Sequence, residues 1–475
     1  MKEKLTKKYG LFTAICLVVG TVIGSGIFFK AQVILQKTNG NVSLGILAWI
    51  IGGAIMLTSI LTFSCMAQKY EKVNGVVDYA EATVGKTYAY FIGWFLATTY
   101  YPTLTSVLAW LSARYTLVFI TSVVPDFPLL IPAAEGGCIV GPECMALMMF
   151  YLCCSYGLNA LSPRLAGRLQ TTTTVIKLIP LGLMAVVGVI VGLANGTLAS
   201  NFTAAPLNTG ASNGGLSGNP LFAAVCATAF AYEGWIIATS INAELKDSKK
   251  NLPRALIIGG IIIIGVYIAY YLGVSGGAPV ADLVDKNKGA MVAFTNVFGN
   301  VLGNILNLFI AISCMGAMNG LMLGCTRGMY AMASRGEGFA PKIFTQVDKE
   351  TNMPNNSSVA GLFFSAIWGL YFYLSNLAET WKGAFVFDPS EIPIISLYAL
   401  YIPIFIMWMV KNKDESALRR CILPSLAICS ALFMIFASII GHGMANVWYF
   451  IVFTVIMAIG AIPVIRGKIK GAAKK

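Results

Sequence analysis

Two stretches set glycine, hydroxyl, aromatic and acidic residues inside otherwise apolar runs: Gly24-Ser25-Gly26-Ile27-Phe28 and Phe230-Ala231-Tyr232-Glu233-Gly234-Trp235. The chemistry they offer is ion recognition rather than bond making. A helix in hydrocarbon keeps its N–H and C=O groups bonded internally, so an interruption is tolerated only beside a protein-lined cavity or water. A helix that restarts near Ser25, Gly26 and Ile27 aims free N–H groups at an anion, with the positive end of its dipole behind them. Gly24 and Gly26 permit the bend and a close backbone approach, and Ser25 adds a hydroxyl donor. The other use of such small residues is helix packing. Half-helix N-termini bind anions and unwound carbonyls bind cations when broken segments occupy matching positions in two halves of a chain. Such a pair suits a zwitterion.

Two ionisable side chains lie inside apolar runs, where a charge is costly and marks a functional hypothesis. Glu233 either accepts from a ligand ammonium, pairs with a cationic side chain, or stays protonated or bonded to backbone donors left by the break. Lys177, in Thr174-Val175-Ile176-Lys177-Leu178, is too far in to snorkel easily. Tyr100, Tyr101 and Pro102 interrupt a third run and read as packing residues, while Arg114 further along is expected to reach the interface. His442 reads as interfacial. No spacing resembles a metal site, and no cofactor is expected. Most of the 11 cysteines fall in apolar runs and behave as small hydrophobes; Cys138 and Cys144 are compatible with an external disulfide.

The elements that must hold these residues are membrane helices. Of the 475 residues 57% are hydrophobic and 11% charged, and the mean hydropathy is +0.75. Twelve spans of crossing length are expected, at about 10–36, 43–67, 88–120, 145–162, 169–194, 219–243, 254–275, 296–332, 358–377, 391–410, 421–440 and 445–465. The first follows Met1-Lys2-Glu3-Lys4 without a cleavage site and is read as a retained helix. Most of the 33 Lys and Arg fall in segments on one side, against Lys30, Lys37, Lys286, Lys288 and Lys382 on the other. The positive-inside rule then places both termini in the cytoplasm of a multi-pass cell-membrane protein. The net charge of +13 is accounted for by topology and anionic lipid, so no nucleic-acid partner is expected. The expected fold is all-α: a cytoplasmic tail 1–9, a five-helix unit 10–194, an outer loop 195–218, an inverted five-helix unit 219–411, helices eleven and twelve in 412–467, and a cytoplasmic tail 468–475. The discontinuous helices come first in each unit.

On these stretches, with Glu244, Asn251-Leu252-Pro253-Arg254-Ala255, Ser313-Cys314-Met315-Gly316-Ala317-Met318-Asn319-Gly320, Arg327 and Ser334-Arg335, the chain resembles the amino acid, polyamine and organocation transporter superfamily. It is most similar to the L-type amino acid transporter branch and to bacterial serine/threonine-type exchangers. The resemblance implies that Gly24, Ser25, Gly26 and Ile27 bind the substrate carboxylate and that Val22, Phe230 and Glu233 receive its amine. Many relatives have glycine where Glu233 stands. Trp235 and Tyr232 are implied as gate or wall, and Cys314, Ala317 and Asn319 as pocket residues between spans three, six, eight and ten. Lys177, with Ser313, corresponds to a lysine that stands in place of a sodium ion near Gly20 and Thr21, or carries protons. Glu244 with Arg164, Arg327 and Arg335 is implied as an inner gate of ion pairs.

The activity so implied is secondary amino acid transport by alternating access, chiefly sodium-independent exchange, with proton symport as the alternative. No acid pair, nucleophile elbow or phosphate loop suggests a membrane enzyme, and no filter repeat suggests a channel. The loop from Pro125-Asp126 to Cys144 does not match the pattern with which eukaryotic relatives join a heavy subunit, so none is expected.

Overall fold

The computed structural model describes residues 7, 9–24, 26–70, 75–124, 126–129, 141–207, 220–284, 289–377, 381 and 383–472. Ser25, Cys138 and the His442 side chain lie outside the described residues. Long apolar segments close all backbone bonds within themselves as helices, the one solution besides a closed barrel that hydrocarbon allows. Among the described residues there is no strand, only an isolated parallel bridge between Tyr9 and Leu245.

Among the described residues ten helices are long and apolar enough to cross a membrane, and Leu11–Val22 with Gly26–Lys37, bent by 42°, makes an eleventh span when the pair is taken as one. These two halves are spans 1a and 1b. Span 2 is Val42–Lys69, span 3 Lys86–Val123, span 4 Pro142–Leu161 and span 5 Pro163–Ala194. The sixth expected span is not one continuous helix but an α-helix, Pro220–Ala231 (6a), followed by a 3₁₀ helix, Trp235–Glu244 (6b). Span 7 is Ser248–Gly277, span 8 Asn300–Ala333, span 9 Asn355–Asn376, span 10 Ile392–Lys411, span 11 Leu418–Ile439 and span 12 Met444–Arg466. Ends are set by local chemistry: Asn41 Oδ1 caps span 2 by accepting from Leu44 N at 2.9 Å, and Pro142 and Pro163 open spans 4 and 5 where no N–H partner is needed.

Contacts recur in matched pairs. Span 1a lies against 7 and 6b, and 6a lies against 2 and 1b; span 2 packs on 7, 3 on 8, and 4 and 9 both pack on 3 and 8. Spans 5 and 7 meet backbone to backbone through Gly188 and Gly192 against Gly273 and Gly276. Span 12 is the least enclosed of these ten helices.

Span 3 has a defect with an identifiable cause. Pro102 has no N–H for the Thr98 carbonyl, and the turn before it is a π-helix, Leu96–Tyr100. The indole Nε1 of Trp368 in span 9 donates to Thr98 O at 2.7 Å and occupies that carbonyl. The Tyr100-Tyr101-Pro102 step is thus more than packing, since it turns Tyr100 toward span 6.

Candidate functional site

At the break in span 1, Ile23 N still bonds Val19 O at 2.9 Å and Gly24 N turns back to Val22 O at 2.8 Å. The helix then restarts at Gly26. A Cβ on Gly26 would sit 2.9 Å from Ala231 Cα, so the start of 1b and the end of 6a approach at a distance only glycine allows. In span 6 the helix stops at Ala231, and Gly234 adopts φ +105°, a left-handed conformation from which 6b leaves. Its Cβ position would lie 3.1 Å from Thr21 Cγ2. The two breaks therefore face each other.

Between them is a cavity of about 20 Å³ lined by backbone-exposing Val22, Gly24, Gly26 and Gly234, by Glu233, and by apolar Leu104, Leu108, Phe230, Leu321 and Ile394. That is room for about one water. The N-terminal end of 1b opens into it, which is the geometry for an anion. Glu233 is 6% exposed, and one carboxylate oxygen accepts from the Tyr100 hydroxyl. A second cavity of about 330 Å³ lies toward the Lys30 end of 1b and shares Phe230 with the first.

Lys177 is fully buried, and its three N–H donors meet three carbonyls: Gly20 O at 2.6 Å, Ile23 O at 2.5 Å and Ser313 O at 3.2 Å. Gly20 lies in the last turn of 1a and Ile23 is its C-cap, where the break frees their carbonyls. The Ser313 hydroxyl also donates toward Ile23 O and Gly24 O, both at 3.3 Å. Gly316 makes room, since a Cβ there would lie 2.5 Å from Thr173 Oγ1 and 3.3 Å from Lys177 Nζ. The Tyr267 hydroxyl lies 3.1 Å from Val22 O and 2.8 Å from Ala231 O, so one hydrogen serves both helix ends.

On the N-terminal side, Glu244 Oε1 and Arg327 Nε are 2.5 Å apart with side chains 0% and 2% exposed. Arg327 Nη1 also donates to Leu323 O at 3.1 Å, and Tyr9 N donates to Glu244 O at 3.0 Å. Arg335 does not join this pair. Its guanidinium holds Asp78, and Glu81 at 3.3 Å, on the short helix Gly75–Thr83. Arg164 is exposed at the start of span 5 and makes no ion pair among the described residues.

Several expected pocket residues point elsewhere. Tyr232 donates from its hydroxyl to Trp49 O at 2.9 Å and packs on Tyr267, with ring centroids 5.1 Å apart. Trp235 is buried against Phe63 and Tyr401, at 5.9 and 6.4 Å, and does not line the central cavity. Asn319 is bonded to Asn159 at 2.9 Å and Gln170 at 3.1 Å, an interhelical tie. Cys314 is buried outside the lining, and Ala317 meets the backbone at Gly24, where a Cβ would lie 3.3 Å away. Ile27 is buried in 1b. The family described as amino acid permease matches residues 9–462. The chain belongs to that family. Against the serine/threonine exchanger SteT of Bacillus subtilis this permease is 27% identical over 451 residues, 93% of each chain. It is also 27% identical to the human large neutral amino acids transporter small subunit 2 and to the mouse Asc-type amino acid transporter 1, over 76% and 72% of its own length but 63% and 61% of theirs. The crystal structure of MhsT in complex with L-phenylalanine shares its fold, with a TM-score of 0.59 at 12% identity over 95% of this chain and 99% of that one. The permease is thus a multi-pass membrane protein of an amino acid transporter family.

In the sequence the partners that orient Glu233 look like ordinary packing residues. Tyr100 could have been found from Pro102, because a mid-span proline forces a local defect that commonly marks a functional position. Tyr267, Leu104, Leu108, Leu321 and Ile394 carry no such signal, being ordinary apolar or aromatic residues in apolar spans.

Proposed function

We propose that the chain is a sodium-independent amino acid exchanger of the cell membrane, with both termini cytoplasmic and no heavy subunit. The observation that carries this reading is the Lys177 ammonium, satisfied by Gly20, Ile23 and Ser313 carbonyls beside the break in span 1. A fixed cation there leaves no task for a sodium ion. In this reading the substrate carboxylate is received by Gly24, Ser25, Gly26 and Ile27. Its ammonium is received by Glu233 with the Val22 and Phe230 carbonyls. Spans 1, 2, 6 and 7 move against 3, 4, 8 and 9, residues 10–194 and 219–411 forming the two inverted units. The Glu244–Arg327 pair closes the cytoplasmic side, and with no co-substrate to return the empty carrier, exchange is obligatory. Similarity to a chain named serine/threonine exchanger supports exchange over symport.

Uptake of labelled amino acids into proteoliposomes tests this. Exchange requires uptake into vesicles preloaded with unlabelled amino acid, indifferent to sodium and absent from empty vesicles. Uptake into empty vesicles driven by a proton gradient would replace exchange with symport, and single-channel currents would remove the carrier altogether.

A further inference from the structure

Several basic residues on the N-terminal side of the membrane are held within the protein: Lys69 by Asp414 at 2.7 Å, Arg327 by Glu244, Arg335 by Asp78 and Glu81, and Arg419 by Glu415 at 4.0 Å. Four others are not. Arg164 and Arg168 at the start of span 5, and Lys250 and Arg254 at the start of span 7, are exposed and make no ion pair among the described residues. Both pairs have the same spacing. Residues four apart share a helix face, so each pair sets two like charges side by side, which destabilises the helix that carries them. Both pairs also lie in the first two turns, where the helix dipole disfavours cations. Neither pair serves its own helix.

The two pairs flank span 1a. On the span 5 side the Thr174 hydroxyl donates to Cys16 O at 3.2 Å, and a Cβ on Gly167 would lie 3.3 Å from Tyr9 Cε1. On the span 7 side a Cβ on Gly259 would lie 2.6 Å from Val18 Cγ1. Span 1a therefore lies between two walls, and Phe12, 64% exposed, faces outward from it. Leu165 and Ile258, beside the two basic pairs, are 50% and 39% exposed. Asp247 is an exposed carboxylate in this region, and its neighbours Lys246 and Lys249, also exposed, more than balance it. Apolar surface for acyl chains, under a rim of cations with no protein partner, is the chemistry that receives an anionic phospholipid.

We propose that anionic phospholipid headgroups of the leaflet on this side bind Arg164 and Arg168 together with Lys250 and Arg254 in front of span 1a, and hold it where it lies when Glu244 and Arg327 are paired. The inference rests on span 1 moving during transport, not on exchange over symport. Two measurements test it: the phosphatidylglycerol that co-purifies with the protein, read by native mass spectrometry, and amino acid transport in phosphatidylcholine vesicles to which phosphatidylglycerol is added. Wild type is expected to retain the lipid and to slow about fivefold as it is added. Each basic residue near an anionic surface contributes about fivefold to binding, so Arg168→Gln and Lys250→Gln should each need about fivefold more phosphatidylglycerol for half the slowing. The double variant should keep wild-type speed in phosphatidylcholine and not respond to added lipid. Lys413→Gln, which removes an exposed cation from the segment between spans 10 and 11, should respond as wild type does. An equal shift in Lys413→Gln would reveal general surface charge, and equal slowing by soluble glycerol phosphate would reveal a free-anion site; either overturns the proposal, as does retention without slowing. Failure of the transport reading shows differently, as no uptake in any vesicle with the difference in retained lipid unchanged.

Discussion

Glu244 and Arg327 join the 3₁₀ half of span 6 to span 8 by an ion pair of 2.5 Å that water does not reach. Removing one partner leaves the other charge buried alone, at a cost of about 3–5 kcal/mol. Glu244→Gln should therefore lower the thermal midpoint in detergent and the exchange rate together. Pairing it with Arg327→Met should recover stability, because no lone charge remains. A Glu244→Gln protein with wild-type midpoint and rate would show that the pair does not hold the inner side shut.

Lys177→Met leaves the Gly20, Ile23 and Ser313 carbonyls without their shared donor. Each buried acceptor so abandoned costs about 1–3 kcal/mol, and the end of span 1a loses its tie to spans 5 and 8. Exchange should nearly vanish while Lys177→Arg retains part of it. Counterflow in proteoliposomes measures both, and wild-type exchange by the Met variant would remove the fixed-cation role.

At Gly26 a methyl group would lie 2.9 Å from Ala231 Cα, so Gly26→Ala must push two half-helices apart at the cavity wall. Most transport should be lost with the protein still inserted and monodisperse. Gly234→Ala adds strain of about 1–2 kcal/mol, because φ +105° is a conformation that alanine resists. Transport by both variants at wild-type rates would show that the breaks tolerate wider spacing.

Glu233 is buried beside the central cavity and keeps a carboxylate oxygen on the Tyr100 hydroxyl. Tyr100→Phe should weaken substrate binding by releasing this side chain, and Glu233→Gln should weaken it further by removing the charge. Substrate titrations of purified protein would separate the two, and equal affinity in all three forms would take Glu233 out of the site.

Trp368→Phe strips the Thr98 carbonyl of the donor that replaces the missing N–H of Pro102. The expected loss is about 1–3 kcal/mol. Pro102→Ala should suppress it, since alanine restores an N–H to span 3, and thermal denaturation of single and double variants reads this directly.

The spans and both breaks were legible because each is a local property. Hydrocarbon demands long apolar runs, and the Gly24–Gly26 and Glu233–Gly234 steps stand out against them. The buried charges Glu233 and Lys177 stood out for the same reason. Arg164 and Arg335 did not separate from Arg327 in sequence, because all three are basic residues at span ends, and only the fold brings Arg327 to Glu244 while giving Arg335 to Asp78 and leaving Arg164 exposed.

Sequence alone determined a helical membrane protein with two interrupted spans, and residues to inspect at each interruption. The tertiary structure decided which way side chains turn: Tyr232 toward Trp49, Trp235 toward Phe63, Asn319 toward Gln170, and Arg114 to the wall of the second, larger cavity. The reason is physical. A soluble helix advertises its inward face by a stripe of apolar residues, but a span apolar on all sides has no such stripe. Its rotation is fixed by neighbours far away in the chain, as Tyr100 is fixed against Glu233 across 133 positions.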